Sequence, residues 1–356
     1  MTENRNAFRG DRRAAARIVA AIIPVLLLAG CTAEKPRPTP TPTPTATAEA
    51  WESTYKAPAP TELAPLRGTT VAAGKLEHPS LAVKIANHTA ARPQIALERA
   101  DIVFEELVEG GLTRYAAVWH SDIPKLIGPV RSIRPMDPDI ITPFGGIVAY
   151  SGGQPHFVKM MEATPVVNAV FDTDRSGLFY RIGSKSAPHN VVVKARDLVN
   201  RYRKVAKPRP QFAYAATGAG SSAALNGKPI RTINARFSDQ RWPSWAWNAK
   251  AGAYLRSQEG APDRASNGAQ LKSTNVVVMR VAIDRRFGSV PKTTMIGTGD
   301  AWVSTAGKTV RATWVKRYPS HQVSLVDDHG VTIRLAPGNT WIELVPKKTG
   351  SVQLVK

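Results

Sequence analysis

The chain is poor in cysteine, in acidic residues and in long apolar runs, and each scarcity closes off a class of structure. A single cysteine, Cys31, stands among 356 residues, so neither a disulfide framework nor a cysteine metal cluster forms within one chain. Acidic residues number 27 against 48 Lys and Arg, for a formal net charge of +21. Such a balance is either a merely basic, solvated surface or a field that favours phosphate-rich polymers, acidic lipid head groups or nucleic acid. Nucleic acid is the least supported, because no RNP-type aromatic motif, zinc-finger spacing or basic helix with heptads is present. Neither H-E-x-x-H nor G-x-S-x-G occurs, and no metal or cofactor is expected. The apolar run Ile18 to Leu28 is too short to span a bilayer comfortably.

That short run has the flanks of a signal sequence. Arg5, Arg9, Arg12, Arg13 and Arg17 precede it, and Leu28-Ala29-Gly30-Cys31 follows it. The tetrapeptide resembles a bacterial lipobox, in which cleavage before the cysteine leaves a thiol that carries diacylglycerol. Lys35 to Ala50 is a Thr-Pro repeat of extended polyproline character, which buries nothing and serves as a semi-rigid tether. This organisation predicts a signal peptide over 1–30, a tether and extended lead-in over 31–75, an N-terminal domain over 76–215 and a C-terminal domain over 228–356. The location that follows is the cell membrane, lipid-anchored through Cys31, on the extracytoplasmic face.

The chemistry concentrates between Ala82 and Pro135. Ala82–Ala86 and Ile102–Val108 read as strands, and Gly110-Gly111 reads as a two-residue hairpin loop onto Leu112–His120. That loop sets Leu107 opposite Arg114 and Glu105 opposite Ala116, so Glu105, Leu107, Glu109 and Arg114 share one face. Four residues of strand separate Glu105 from Glu109 by about 13 Å, wider than the roughly 6.5–9.5 Å of inverting glycosidases. A two-glutamate hydrolase is thereby weakened, and Arg114 either neutralises both carboxylates or shares a site with them. Arg131 and Arg134 flank Ser132, and their planar guanidinium groups suit bidentate contacts to phosphate or carboxylate.

Beyond this stretch, Ile140–Tyr150 reads as a strand entering Ser151-Gly152-Gly153, a turn able to offer N–H groups to an anion before a helix that follows Pro155. His156 and His189 are either hydrogen-bonded structural histidines or part of a site. Tyr180, Arg181, Lys185 and Asn190 accompany them as ligand-binding candidates, with Asn87 from the first strand. An Ala/Gly/Ser-rich connector near 207–227 marks the domain boundary, and short β-type runs follow. Tryptophans 242, 245, 247, 302, 314 and 341 either pack the core or line a carbohydrate platform.

The quoted residues resemble the YerB-like lipoprotein family of bacterial envelope proteins, whose biochemical role is uncharacterised. The resemblance rests on Asn87, Ala91-Arg92-Pro93-Gln94, Ala100-Asp101-Ile102-Val103, Glu105 through Arg114, Ile127 through Pro135, Ser151-Gly152-Gly153, Tyr180-Arg181 and Ala187-Pro188-His189-Asn190. It implies an α/β fold, with a layered mixed-sheet N-terminal domain followed by a mostly β C-terminal domain. It supplies no reaction. The functional expectation is binding of an anionic cell-wall glycopolymer or lipid-linked wall precursor. The alternative is a wall-glycan hydrolase or transferase using Glu105, Glu109 and His189, or Ser151 as nucleophile.

Replacing Cys31 by serine is expected to move the protein from the membrane to the soluble fraction. Unchanged membrane fractionation of Cys31→Ser, with the signal still removed, rejects the lipid anchor.

Overall fold

The computed structural model describes residues 50–356, so the signal sequence, Cys31 and most of the Thr-Pro tether lie outside the described residues. Two units are distinguished, the second spanning Ala57–Lys356, and everything below concerns that unit. Its longer strands are β1 (Leu81–Ala86), β2 (Ile102–Leu107), β3 (Thr113–Trp119), β4 (Ile147–Tyr150), β5 (Val167–Val170), β6 (Thr232–Arg236), β7 (Pro243–Asn248), β8 (Ala253–Gln258), β9 (Asn275–Val281), β10 (Gly297–Thr305), β11 (Lys308–Lys316), β12 (Thr340–Pro346) and β13 (Ser351–Val355). The helices are short, among them α1 (Asp137–Ile141), α2 (Pro155–Glu162) and α3 (Ala195–Arg201). The protein is therefore mostly β, where the sequence reading expected α/β layering.

One large sheet runs β11-β10-β9-β12-β2-β3-β1-β4-β5 and draws on both segments of the chain. Strand β12 joins them: it lies parallel to β9 on one side and to β2 on the other, with Glu343 opposite Glu105. A smaller antiparallel sheet, β8-β7-β6-β13, covers part of one face. Strands in the middle of a sheet covered on both sides need apolar groups at every position rather than at alternate ones. The sequence supplies them. Val103, Tyr115, Val276 and Trp341 join Ile233, Trp245 and Tyr254 of the smaller sheet in one core. Their chain neighbours Phe104, Ala116, Val277 and Ile342 join Ile140, Phe157 and Met161 of the helices in a second core.

Two local expectations change. Ile140 does not begin a strand, because Asp137-Pro138 opens the short helix α1 and only Ile147–Tyr150 is extended; proline is pre-set for a first helical turn. The hairpin between β2 and β3 is also one residue longer than a Gly-Gly turn. Val108 N–H donates to Leu112 O at 2.8 Å, leaving Glu109, Gly110 and Gly111 in the loop, with Gly110 at φ +68° and Gly111 at φ +71°. Glu105 therefore faces Tyr115 and Glu106 faces Arg114. A one-residue slip exchanges the faces of the sheet, so Arg114 lies on the side of Glu106, opposite to Glu105. The tryptophans divide as well: Trp245, Trp314 and Trp341 are core, while Trp242 is 45% exposed.

The interface between the two sheets closes around a charge. Arg256, on β8, is fully buried and donates to Glu105 Oε2 at 2.6 Å and to Asp263. Its guanidinium carbon lies 5.0 Å from the Trp341 ring centre, 5.6 Å from Tyr115 and 5.7 Å from Trp245. Beside it Trp245 Nε1 donates to Glu343 Oε1 at 2.7 Å. Burial, reinforced by the facing Glu105, pushes Glu343 well above the usual carboxylate range and favours its protonated form.

Removing one partner of a buried ion pair strands the others in low dielectric. Arg256→Met is expected to destabilise the fold by about 3–5 kcal/mol in urea unfolding. A loss below about 1 kcal/mol, the size of an exposed pair, contradicts this assignment.

Candidate functional site

A cleft of about 280 Å³ opens where β1, the β2–β3 loop and the chain after Gly128 meet; its polar lining is Asn87, His88, Glu109, Arg114, Arg131, Arg134 and His189, with Thr113 beneath. Backbone bonds position the arginines. Ala86 N–H donates to Pro129 O at 3.0 Å and Arg131 N–H to Lys84 O at 2.9 Å, so the 129–131 segment lies along β1. Ser151 N–H donates to Arg131 O at 3.0 Å, and Ile133 N–H to Gly152 O at 2.9 Å. Arg131 and Arg134 are thus held by β1 and the end of β4, and Arg114 comes from β3.

The cleft holds three guanidinium groups and, among the described residues lining it, one carboxylate. That carboxylate, Glu109, accepts from Arg134 Nε at 2.9 Å and pairs with its Nη2 at 2.8 Å, a two-pronged contact. Burial works to raise Glu109, but the hydrogen bond and charge of Arg134 outweigh it and hold the carboxyl below its usual range. Arg114 is buried, and its side chain meets only the carbonyl of Ser132, at 3.0 Å. Burial, then the charges of Arg134 and Arg131, lower it to about 9. Arg131 reaches only Pro188 O at 3.4 Å and is lowered by the same two causes, burial and Arg134. His189 stacks on His88, ring centres 4.7 Å apart, and its Nδ1 has no protein partner. Burial and the charges of Arg131, His88 and Arg114 hold His189 below the usual imidazole range. The shifts of Arg114, Arg131 and His189 all disfavour positive charge, and a bound anion would oppose them.

The sequence reading placed Glu105 in this site. Glu105 is instead fully buried: Arg256 holds Oε2, and Oε1 accepts from Asn87 Nδ2 at 3.1 Å and Thr113 Oγ1 at 2.6 Å. It supports the cleft floor through Asn87 without opening into it. Ser132 and Ser151 sit behind the arginines, with their hydroxyls 3.4 Å apart. In the Ser151–Gly153 turn the Ser151 N–H is committed to Arg131 O, and the Asp172 carboxylate lies against Gly152. Lys185 donates to Arg92 O at 2.9 Å, and Arg181 to Asn190 Oδ1 at 2.7 Å, so these residues build the loop that carries His189. Tyr180 is exposed on that loop's outer side, near Lys194. His156 lies elsewhere, on α2 against Phe157 and Phe287. His88 was not singled out from sequence, and its adjacency to Asn87 was the available signal.

Beneath Arg114 lies a buried trio of one cation and two carboxylates. Lys84 pairs with Glu106 and, at 2.7 Å, with Asp137. Burial and the Asp137 charge push Glu106 up to about 7 despite Lys84.

The architecture defines a two-part, mostly β protein with an arginine-lined cleft in its first part. The chain belongs to the family described as protein of unknown function (DUF3048): the model of its N-terminal domain matches residues 66–208, and that of its C-terminal domain matches residues 233–342. It is similar to a protein of Bacillus subtilis (strain 168) named "Putative lipoprotein YerB", with 28% identity over 303 residues, 80% of this chain and 86% of the relative. The crystal structure of YerB protein from Bacillus subtilis superposes with a TM-score of 0.71 at 24% identity, covering 82% of this chain and 99% of that one, which establishes the shared fold.

A carboxyl whose folded pKa is raised adds stability that is complete below its unfolded value near 4.5 and is lost as pH rises through about 7. Glu106→Gln is therefore expected to flatten the fall in stability between pH 5 and pH 8. An identical pH profile for wild type and variant in urea melts overturns the assignment.

Proposed function

We propose that this is a lipid-anchored, extracytoplasmic envelope protein whose cleft binds the phosphate or carboxylate groups of an anionic cell-wall glycopolymer or lipid-linked wall precursor. The observation that carries the reading is the imbalance of three guanidinium groups against one carboxylate, with Arg114 and Arg131 lacking any carboxylate partner. Two arginines held by backbone at fixed separation favour an oxyanion with several acceptors over a single point charge. The lipobox-like Leu-Ala-Gly-Cys sequence and the relative's name support the location. No helix among the described residues is long and apolar enough to cross a membrane, so on this reading attachment rests on the lipid at Cys31.

An enzymatic reading keeps one specific support. His189, whose buried Nδ1 has no protein partner, lines the same cleft as Glu109, so a base and an acid stand together there.

Purified wall teichoic acid, titrated calorimetrically against the protein, is the direct test. Arg114→Met and Arg131→Ala are each expected to weaken binding at least tenfold, about 1.4 kcal/mol. Wild-type affinity should fall with salt as the attraction is screened over about 10 Å at 0.1 M. Arg131→Ala should leave the melting temperature unchanged or raised, since it relieves repulsion with Arg134 and Arg114. A lower melting temperature with intact, salt-insensitive binding assigns the arginines a structural role and refutes the proposal. Turnover of the polymer by wild type but not by Glu109→Gln moves the protein to the enzymatic class.

A further inference from the structure

The outer face of the smaller sheet carries a second concavity. A groove of about 620 Å³ runs over β6, β7 and β13, lined by Asn234, Arg236, Trp242, Ser244, Ser351 and Gln353 among others. The strand pattern explains the lining. On β6, Ile233 and Ala235 point into the core, so Asn234 and Arg236 point out. Register sets Ser244 and Gln353 on either side of Asn234, and Ser351 beside Arg236. Trp242, two residues before Ser244, continues the same outward face and stands 45% exposed, whereas the other tryptophans of residues 57–356 are buried or half-buried. Asn234 Nδ2 donates to Gln353 Oε1 at 3.1 Å, which orients both amides in one row.

We propose that this groove is a saccharide subsite that takes neutral pyranose rings, one of them stacked on the Trp242 indole. The lining supplies what such a ring requires. A pyranose offers a C–H face, which an exposed indole covers with apolar and weak C–H contacts. Its equatorial hydroxyls both donate and accept, as do the Asn and Gln amides and the Ser hydroxyls beside that indole. Adjacent strands are about 4.8 Å apart, a spacing comparable to the width of one ring, so successive polar side chains across the sheet meet hydroxyls of one or two rings. Charge argues for a neutral ligand: Arg236 and Asp239, at the groove margin, pair with each other and leave no net charge. The rim is fixed to the arginine cleft, since Ser238 Oγ donates to Gly111 O at 2.5 Å on the loop that carries Glu109. A chain bearing both sugars and anionic groups would thus find the two sites on opposite sides of one loop, although the groove stands without the cleft.

Calorimetric titration of the purified full chain with cellotetraose and, separately, with the N-acetylglucosamine tetramer tests the proposal. At least one saccharide is expected to bind, with Trp242→Ala weakening it at least tenfold and Trp242→Phe by less, while Arg131→Ala leaves it unchanged. Because Trp242 is exposed, both tryptophan variants should melt with wild type, which separates a lost contact from a lost fold. No heat from either saccharide up to about 10 mM, beyond the roughly 4 kcal/mol of a millimolar site, overturns the assignment. So does equal binding by Trp242→Ala, or sedimentation showing wild-type self-association that Trp242→Ala abolishes, which would make a second copy the occupant.

Discussion

The buried guanidinium of Arg256 is the constraint on which the arrangement of the two sheets depends. Taking a cation and two carboxylates out of water is costly unless each finds its partner in good geometry. The partners here come from places far apart in the chain: Glu105 on β2, Asp263 after β8, and a box of Trp245, Trp341 and Tyr115. The smaller sheet can therefore dock in only one register. Neighbouring Glu105 and Glu106 show the same logic, since they point to opposite faces of β2 and each has its own cation, Arg256 on one side and Lys84 on the other. A slip of one residue would present each carboxylate to the wrong face, which makes the pair a register lock as well as a source of stability.

Much of the first part was legible because hydrophobic runs and turn residues are local signals. Strands β1, β2 and β3, the helix after Pro155, and the strand and helix near Val191 all follow from pattern. The single cleft holding Glu109, Arg114, Arg131, Arg134 and His189 also follows, from the density of charge in otherwise apolar sequence. The face assigned to Glu105 did not, because Gly-Gly fits a two-residue or a three-residue loop equally well, and only the Val108–Leu112 pairing distinguishes them. Arg256 was invisible for a different reason. Its partner Glu105 lies 151 residues away in the chain, and nothing beside Arg256 in the sequence marks it as buried. The expected mostly β second part is present, and the α/β layering of the first is reduced to short helices: α1 and α2 cover one face of the large sheet while the smaller sheet covers part of the other.

The two charged regions of this molecule obey different rules. In the interior, Arg256 and Lys84 sit against carboxylates, and at its margin so does Arg67 with Asp101. In the cleft the balance is withheld, and like charges are kept together by backbone bonds that the side chains do not control. The two regions meet at Asn87, which donates to Glu105 from one side of its amide while its Oδ1 accepts from Arg92 Nε at 3.1 Å. The floor of the cleft is thereby fastened to the buried charged cluster around Arg256. A site that concentrates positive charge needs such a floor, because a flexible one would relax the arginines apart into water.

The place of β12 bears on how the polypeptide reaches this state. Residues 340–346 are near the end of the sequence, yet they occupy the middle of the large sheet, hydrogen-bonded in parallel to β2 and β9. Until they arrive, β2 and β9 each present an unsatisfied edge, the kind of surface on which foreign strands add and aggregation begins. Contacts spanning so much chain also close slowly, because the entropy of a long loop must be overcome before pairing is rewarded. Strand β2, which ends at Leu107, thus waits for its parallel partner until the chain as far as Thr340–Pro346 has been added.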